Sequence, residues 1–365
     1  MPEHETKSRV YLDLTHLGRH VTGIERVSIE QFEKVGFEGA QVIPVRSSGV
    51  ASMILRQQVL LPLLAILHPR ARFVFPGFPP SPIFSLMPKR TTMYVHDTFL
   101  ITRTGDLSTK ARLYMAPQFK LAVRRLTNFF VNSEKTRAGL SEFTRPEARI
   151  QLYRPSVANH FALSANDRAD LPGTPKPLRL VSLGTVEPRK NYAASVAILD
   201  AIRVRYDAVA ELHIIGRAGW GEDAARISAH PGVTVHGYLA PEDVKRIMES
   251  ADVYLCTSHD EGLGLPLLEA QFAGLPVVAP DQPVFREVLG ASGTLIDPAR
   301  PQDAAEEITS LMAKPAWRTV QAQAAVDNVA RWNAAAKDDL AAARTVFASR
   351  HVGNAASSLS AASAR

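Results

Sequence analysis

The chain has 365 residues, 46% of them apolar and 21% charged, which suits two soluble globular domains of roughly 150 to 180 residues each. No run approaches the roughly 18 apolar residues expected of a bilayer span, and Met1 to Arg9 lacks a signal-like apolar stretch, so a cytosolic address is expected. The formal charge of +6 is uneven: residues 1–170 hold 23 Lys and Arg against 14 Asp and Glu, and residues 171–365 hold 19 against 22. The basic half is thus the one suited to an anionic partner, a membrane surface, a lipid diphosphate or nucleic acid; a solvated basic face is the plainer alternative. The single cysteine, Cys256, excludes an intramolecular disulfide and a cysteine-built zinc site, and within VYLC it reads as a small core hydrophobe.

In chain order, RVYLDLTHL (9–17) reads as a buried strand, followed by the turn Thr22-Gly23-Ile24 and a helical pattern to Val35. Short strands follow at 41–45, 72–77, 91–97 and 128–133, with helical stretches between several of them. Two segments, 53–67 (MILRQQVLLPLLAIL) and 117–126 (PQFKLAVRRL), mix apolar residues with cations. They fit an anionic leaflet; equally, they fit a core helix interrupted by Pro62 and an amphipathic surface helix. The stretch 167–179 has three prolines, one glycine and no periodicity, so the domain boundary is placed there. The expected domains are 1–170 and 171–349.

The second half repeats the plan. Strands are read at 178–184, 210–216, 233–239, 252–258 and 275–280, with helices at 192–206, 241–251 and 265–274. Beyond Pro301 the chain is alanine-rich and helical to about Ser349, and 350–365 is expected to be a disordered tail. Strand–helix alternation argues for two α/β domains with parallel sheets, whose ligands bind beyond the carboxyl ends of the strands. Residues just after those strands include Gly23, His96, Asp97, Gly184, Gly216, Gly237 and 258–264.

Two segments there carry chemistry. GTVEPRKN (184–191) puts Arg189 and Lys190 at a strand-to-helix turn, a planar fork beside a point charge, suited to a diphosphate or simply solvated on a loop. In DEGLGLPLLEAQFAG (260–274), Glu261 precedes Gly-Leu-Gly, a helix starts near Leu265, and Glu269 lies eight positions after Glu261. A glycine loop turned toward an anion, with a carboxylate on either side to accept hydroxyl hydrogen bonds, suits a phosphorylated sugar. His96 alone reads as a buried structural histidine, and Asp97 either orients it or makes a turn.

These motifs, with PVVAP (276–280), REV (286–288) and the strand ending at Asp297-Pro298, resemble over about residues 178–307 the C-terminal domain of family-four retaining glycosyltransferases. EPRKN is most similar to the mannosyltransferase-like branch that builds bacterial surface polysaccharides. TGIERV (22–27), VHD (95–97) and VNSEKT (131–136) extend the likeness more weakly into the first half. The resemblance implies a GT-B fold, two Rossmann-like domains with sheets facing across a cleft. It implies that Arg189 and Lys190 neutralise the donor diphosphate and that Glu269 holds the ribose. Glu261 and the N–H groups of Leu263, Gly264 and Leu265 would contact donor sugar and phosphate, His96 would face the sugar, and Gly23 would let its loop approach the phosphate. Gly184, Gly216 and Gly237 belong to the same donor-binding set.

The expected activity is transfer of a hexose from a nucleotide sugar, GDP-mannose as the best choice, to a glycan or polyprenyl-diphosphate-linked acceptor, with no metal and no nucleic-acid partner. Arg124 and Arg125 are assigned to the acceptor and membrane side, with peripheral contact at the inner face of an anionic membrane. Departures from the family pattern, Thr22 before Gly23 and Leu at 263, leave the sugar open. The competing readings are a nucleotide-sugar epimerase of the same fold and a non-catalytic sugar-nucleotide-binding subunit. A dinucleotide oxidoreductase is disfavoured because no GxGxxG follows the first strand.

Overall fold

The computed structural model describes residues 8–17, 23–109, 111–165, 177–206, 209–219 and 224–348. Most of the expected linker, the expected tail and Thr22 lie outside the described residues. The chain divides into two units, 1–155 with 335–365, and 156–334.

In the first unit β1 (Ser8–Leu14), β2 (Ala40–Arg46), β3 (Arg72–Phe75), β4 (Thr91–Val95), β5 (Asn128–Val131) and β6 (Arg149–Leu152) form one sheet in the order β2-β1-β3-β4-β5-β6. Every pairing in it is parallel. In the second, β7 (Leu178–Leu183), β8 (Ala210–Ile215), β9 (Val233–Val235), β10 (Val253–Leu255), β11 (Val277–Pro280) and β12 (Gly293–Ile296) run β12-β11-β10-β7-β8-β9, again all parallel. Parallel strands covered on both faces read as nearly continuous apolar runs. Leu178 and Leu180 of β7 therefore enter one core and Val181 the other; Val253 and Leu255 of β10 oppose Tyr254 in the same way. The edge strand β6 was not read from sequence, because its four residues RIQL are all at least partly accessible and show no apolar run.

Strand order reverses between β7 and β10 in the second sheet and between β1 and β3 in the first. At such a switch point the following loops diverge to opposite faces and leave a crevice. The segment 184–191 follows β7 and 256–264 follows β10, so both donor motifs sit at one switch point.

The units differ from the expected domains. The helix Trp317–Ala348 is divided at Ala334, its last part counting with the first unit. The reason is a set of polar ties. Asp339 Oδ2 accepts from the Arg154 backbone N–H (3.2 Å) and guanidinium (2.8 Å). Within the second unit, Asn333 accepts from the Val157 N–H at 2.8 Å and donates to its carbonyl at 3.0 Å. The division thus falls fifteen residues before the expected boundary between 170 and 171.

A second correction concerns membrane-spanning length. Val50–Leu67 is one continuous helix of 18 residues with a mean hydropathy of 1.8, long and apolar enough to cross a bilayer by length and composition, though only 22% of it is buried. Arg56, Gln57, Gln58 and Pro62 break the run in the sequence, yet they do not break the helix. Pro62 lacks an N–H and its ring crowds the preceding turn; a π-turn at Arg56–Leu60, closed by the Leu61 N–H to Arg56, widens the helix there.

Candidate active site

The β7 loop closes on itself before it meets the β10 loop. Pro188–Lys190 forms a single 3₁₀ turn, and Asn191 ends it in the left-handed conformation at φ 50°. The crossing point admits only glycine: a Cβ on Gly216, just past β8, would stand 2.0 Å from the Gly184 carbonyl oxygen. Gly216 also forms an antiparallel bridge with Gly237 beyond β9. The two loops are then tied by their backbones, His259 N–H to the Arg189 carbonyl at 2.8 Å. Thr257 Oγ1 donates to the Asn191 carbonyl at 2.9 Å.

This scaffold brings Arg189, Lys190 and Glu261 together. Glu261 Oε1 accepts from Lys190 Nζ at 2.6 Å and from Ser258 Oγ at 2.9 Å, while Oε2 meets Arg189 Nη1 at 2.7 Å. The other edge of the Arg189 guanidinium meets Glu187 at 2.6 Å, and Nη1 also donates to the Asp260 carbonyl at 3.0 Å. Glu261 is only 8% exposed. Burial by itself would raise its carboxyl, but the charges of Lys190 and Arg189 outweigh that and hold it down at about 2. Burial likewise disfavours the Arg189 cation, and Glu261 with Glu187 more than restore it, leaving it above the usual arginine range. Glu261 and Arg189 are therefore both charged at neutral pH.

The remaining donor-set residues divide by element. Gly264 caps the helix Leu265–Gln271 at φ 88°, a left-handed conformation suited to glycine. Leu263 turns its side chain into the core, so only its backbone faces the loop. Glu269 is buried, 5% exposed, and lies in the second turn of that short helix. A cavity of about 10 Å³ bounded by Lys190, Tyr192, Ser258 and Gly264 has room for about one water. Beyond β8 and β9, the Arg217 guanidinium lies over the exposed Tyr238 ring at 4.9 Å.

In the first unit His96 follows β4. Its Nε2 donates to the Pro76 carbonyl at 2.8 Å, which leaves Nδ1 as the acceptor of a neutral imidazole. Burial lowers its pKa to about 4, with nearby His16 adding to the effect. Asp97 accepts the Phe99 N–H at 2.9 Å, at the start of the turn Phe99–Thr102. Gly23 opens the helix Gly23–Val27. Arg124 and Arg125 end the helix Ala116–Arg125, which leads into the start of β5. They precede β5, whereas His96 follows the neighbouring β4, so they stand at opposite ends of these parallel strands. Cations at a helix C-terminus are favoured by its dipole without any ligand.

Sequence reasoning gave no role to Ser258, Glu187 or His16. Glu187 is visible in EPRK as a neighbour of the cations, but Ser258 and His16 carry no spacing signal. His16 follows β1 at the other switch point, its ring within 2.3 Å of where a Cβ on Gly77 would stand. Its Nε2 lies 3.2 Å from Ser28 Oγ, and burial lowers its pKa to about 4.

Two six-stranded parallel sheets, each with its loops gathered at a switch point, define the GT-B class of glycosyltransferase fold. HepE of Anabaena, solved in complex with UDP-glucose, superposes with a TM-score of 0.63 over 92% of this chain and 99% of that one, at 15% identity. Residues 164–330 match the family model described as glycosyl transferases group 1. The O-antigen chain mannosyltransferase B of Escherichia coli is 29% identical over 147 residues, covering 38% of this chain and 38% of that protein. The serotype-specific mannosyltransferase WbdA of the same organism is 26% identical over 176 residues, 43% of this chain and 22% of its own length. The chain thus matches well under half the length of each of these relatives.

Proposed function

We propose that this protein is a retaining, metal-independent glycosyltransferase that moves a hexose from a nucleotide sugar, GDP-mannose by preference, to a glycan or lipid-linked acceptor of a surface polysaccharide. The observation that carries the reading is the buried Arg189–Lys190–Glu261 cluster at the switch point of the second sheet. As the bond between sugar and phosphate breaks, positive charge grows on the sugar and negative charge on the departing diphosphate. Two fixed cations stabilise that anion without reorganising, which is the larger part of such catalysis. In this reading Glu261 keeps both cations in place before the donor arrives and afterwards contacts the sugar, with the N–H groups of Leu263, Gly264 and Leu265 beside it. Glu269 accepts from the ribose hydroxyls, and the neutral Nδ1 of His96 accepts from a sugar hydroxyl. Mannose is favoured by the names of the two E. coli relatives.

The test is nucleotide release measured with GDP-mannose and UDP-glucose, with and without mannose-terminated acceptors, followed by NMR of the product anomer. Acceptor-stimulated release of GDP with an α-linked product and no loss in EDTA is expected. An inverted product, or turnover abolished by EDTA and restored by magnesium or manganese, overturns the cationic account.

A further inference from the structure

The helix Val50–Leu67 has two unlike faces. Leu61 and Ala65 enter the core of the first unit, and Gln57 is buried with its amide on Asp13 Oδ2 at 3.1 Å. Asp13 is itself satisfied by Thr15. The opposite face exposes Val50, Ile54, Leu55, Val59, Leu63, Ile66 and Leu67, with Leu55 at 61% and Ile66 at 71%. These positions recur at helical spacing and form one stripe along the whole helix. The patch extends sideways: Gln58 donates to the Tyr114 hydroxyl at 3.1 Å, and the adjoining Leu113 is 72% exposed. Scattered exposed leucines are ordinary, whereas a contiguous aliphatic stripe over five turns marks a surface that is covered in use.

The charge around the stripe says what covers it. Between Glu38 and Asp97 the sequence has no Asp or Glu and six Lys and Arg; from 39 to 133 the count is twelve against two, Asp97 and Asp106. Asp106 is paired with Arg103. Arg56 lies within the helix, Arg70 three residues after it and Arg112 next to Leu113 in the chain, and among the described residues none of the three has a carboxylate partner. An apolar ridge bordered by cations and cleared of carboxylates complements an anionic lipid surface: acyl chains take the aliphatic side chains and headgroups take the guanidinium groups. Spanning is disfavoured by the other face, because withdrawing the helix would strip Gln57 from Asp13 and empty the places of Leu61 and Ala65.

We propose that the exposed face of the helix Val50–Leu67, with Leu113, docks in the plane of an anionic bilayer and holds the first unit there. This stands independently of the donor chemistry.

The full-length chain is sedimented with vesicles of phosphatidylcholine, with and without phosphatidylglycerol. Binding is expected to the anionic vesicles, weaker in roughly 0.5 M salt but not abolished. Leu55→Ser with Ile66→Ser should lower the partition coefficient by about tenfold or more, with an unchanged circular dichroism spectrum because both side chains lie in solvent. Val204→Ser, still more exposed in the second unit at 86%, is the control and should bind as the parent does. A dye on Ile66→Cys, the native Cys256 being buried, should shift to the blue on binding. Equal binding by the double variant and the parent overturns the proposal, as does an absence of binding by the parent. Self-association abolished by Leu55→Ser with Ile66→Ser, without any vesicle binding, would assign the face to a second copy. Resistance to extraction by alkaline carbonate would make the helix a span and equally overturn in-plane docking.

Discussion

Replacing Glu261 by Gln keeps the side chain's shape and removes the charge that joins the two donor loops. A carboxyl held at about 2 against its ordinary value of 4.5 corresponds to about 3 kcal/mol of stability at neutral pH. That figure agrees with the roughly 3–5 kcal/mol lost when one partner of a buried ion pair is removed. The sign follows from the direction. Because the folded value lies below the unfolded one, the stabilisation is complete above about pH 5 and disappears as pH falls toward 2. At pH 3 only about 1 kcal/mol should remain. Urea unfolding followed by tryptophan fluorescence isolates the relevant transition, since all three tryptophans, at 220, 317 and 332, fall in the second unit. Glu261→Gln should therefore be less stable than the parent by about 3 kcal/mol at pH 7, and the gap should narrow as the pH is lowered to 3. A gap below about 0.5 kcal/mol at pH 7, or one that does not change with pH, would refute the ionised cluster.

Three further outcomes are expected. Arg189→Ala with Lys190→Ala should lower acceptor-dependent nucleotide release by about a hundredfold or more, in a protein also less stable than the parent because Glu261 is left buried without its cations; near-normal turnover removes the clamp. Calorimetry should find nucleoside diphosphate binding weakened about tenfold by Glu269→Ala, the size of a lost hydrogen bond to a charged group, and little changed by Glu261→Gln. Equal losses in the two variants contradict the division of labour. For His96, proton NMR should record an imidazole that stays neutral down to about pH 4. Its folded pKa lies below the ordinary 6.5, so it contributes stability at neutral pH that fades between pH 6.5 and 4. A midpoint near 6.5 would mean that the ring is open to water.

Much of the architecture follows from local chemistry. Strands buried on both faces announce themselves as apolar runs, and LRLVSLG, AELHIIG and DVYLCTS did so. The motifs were equally legible, because Arg189 beside Lys190 and Glu261 eight positions before Glu269 are relations within a single loop or helix. Tertiary structure decided how those pieces meet. Lys190 and Glu261 are 71 residues apart, and their contact exists only because β7 and β10 are neighbours at a strand-order reversal that no residue spacing encodes. The same holds for Ser258, whose hydroxyl has a role only once Glu261 turns back onto it. The division near Ser156 was likewise hidden, since Asp339 and Asn333 reach Arg154 and Val157 from the far end of the chain. For the helix Val50–Leu67, composition by itself determined an apolar segment with cations. Which face it buries was decided by Gln57 reaching Asp13, because a buried carboxylate needs donors more than solvent-facing leucines need cover.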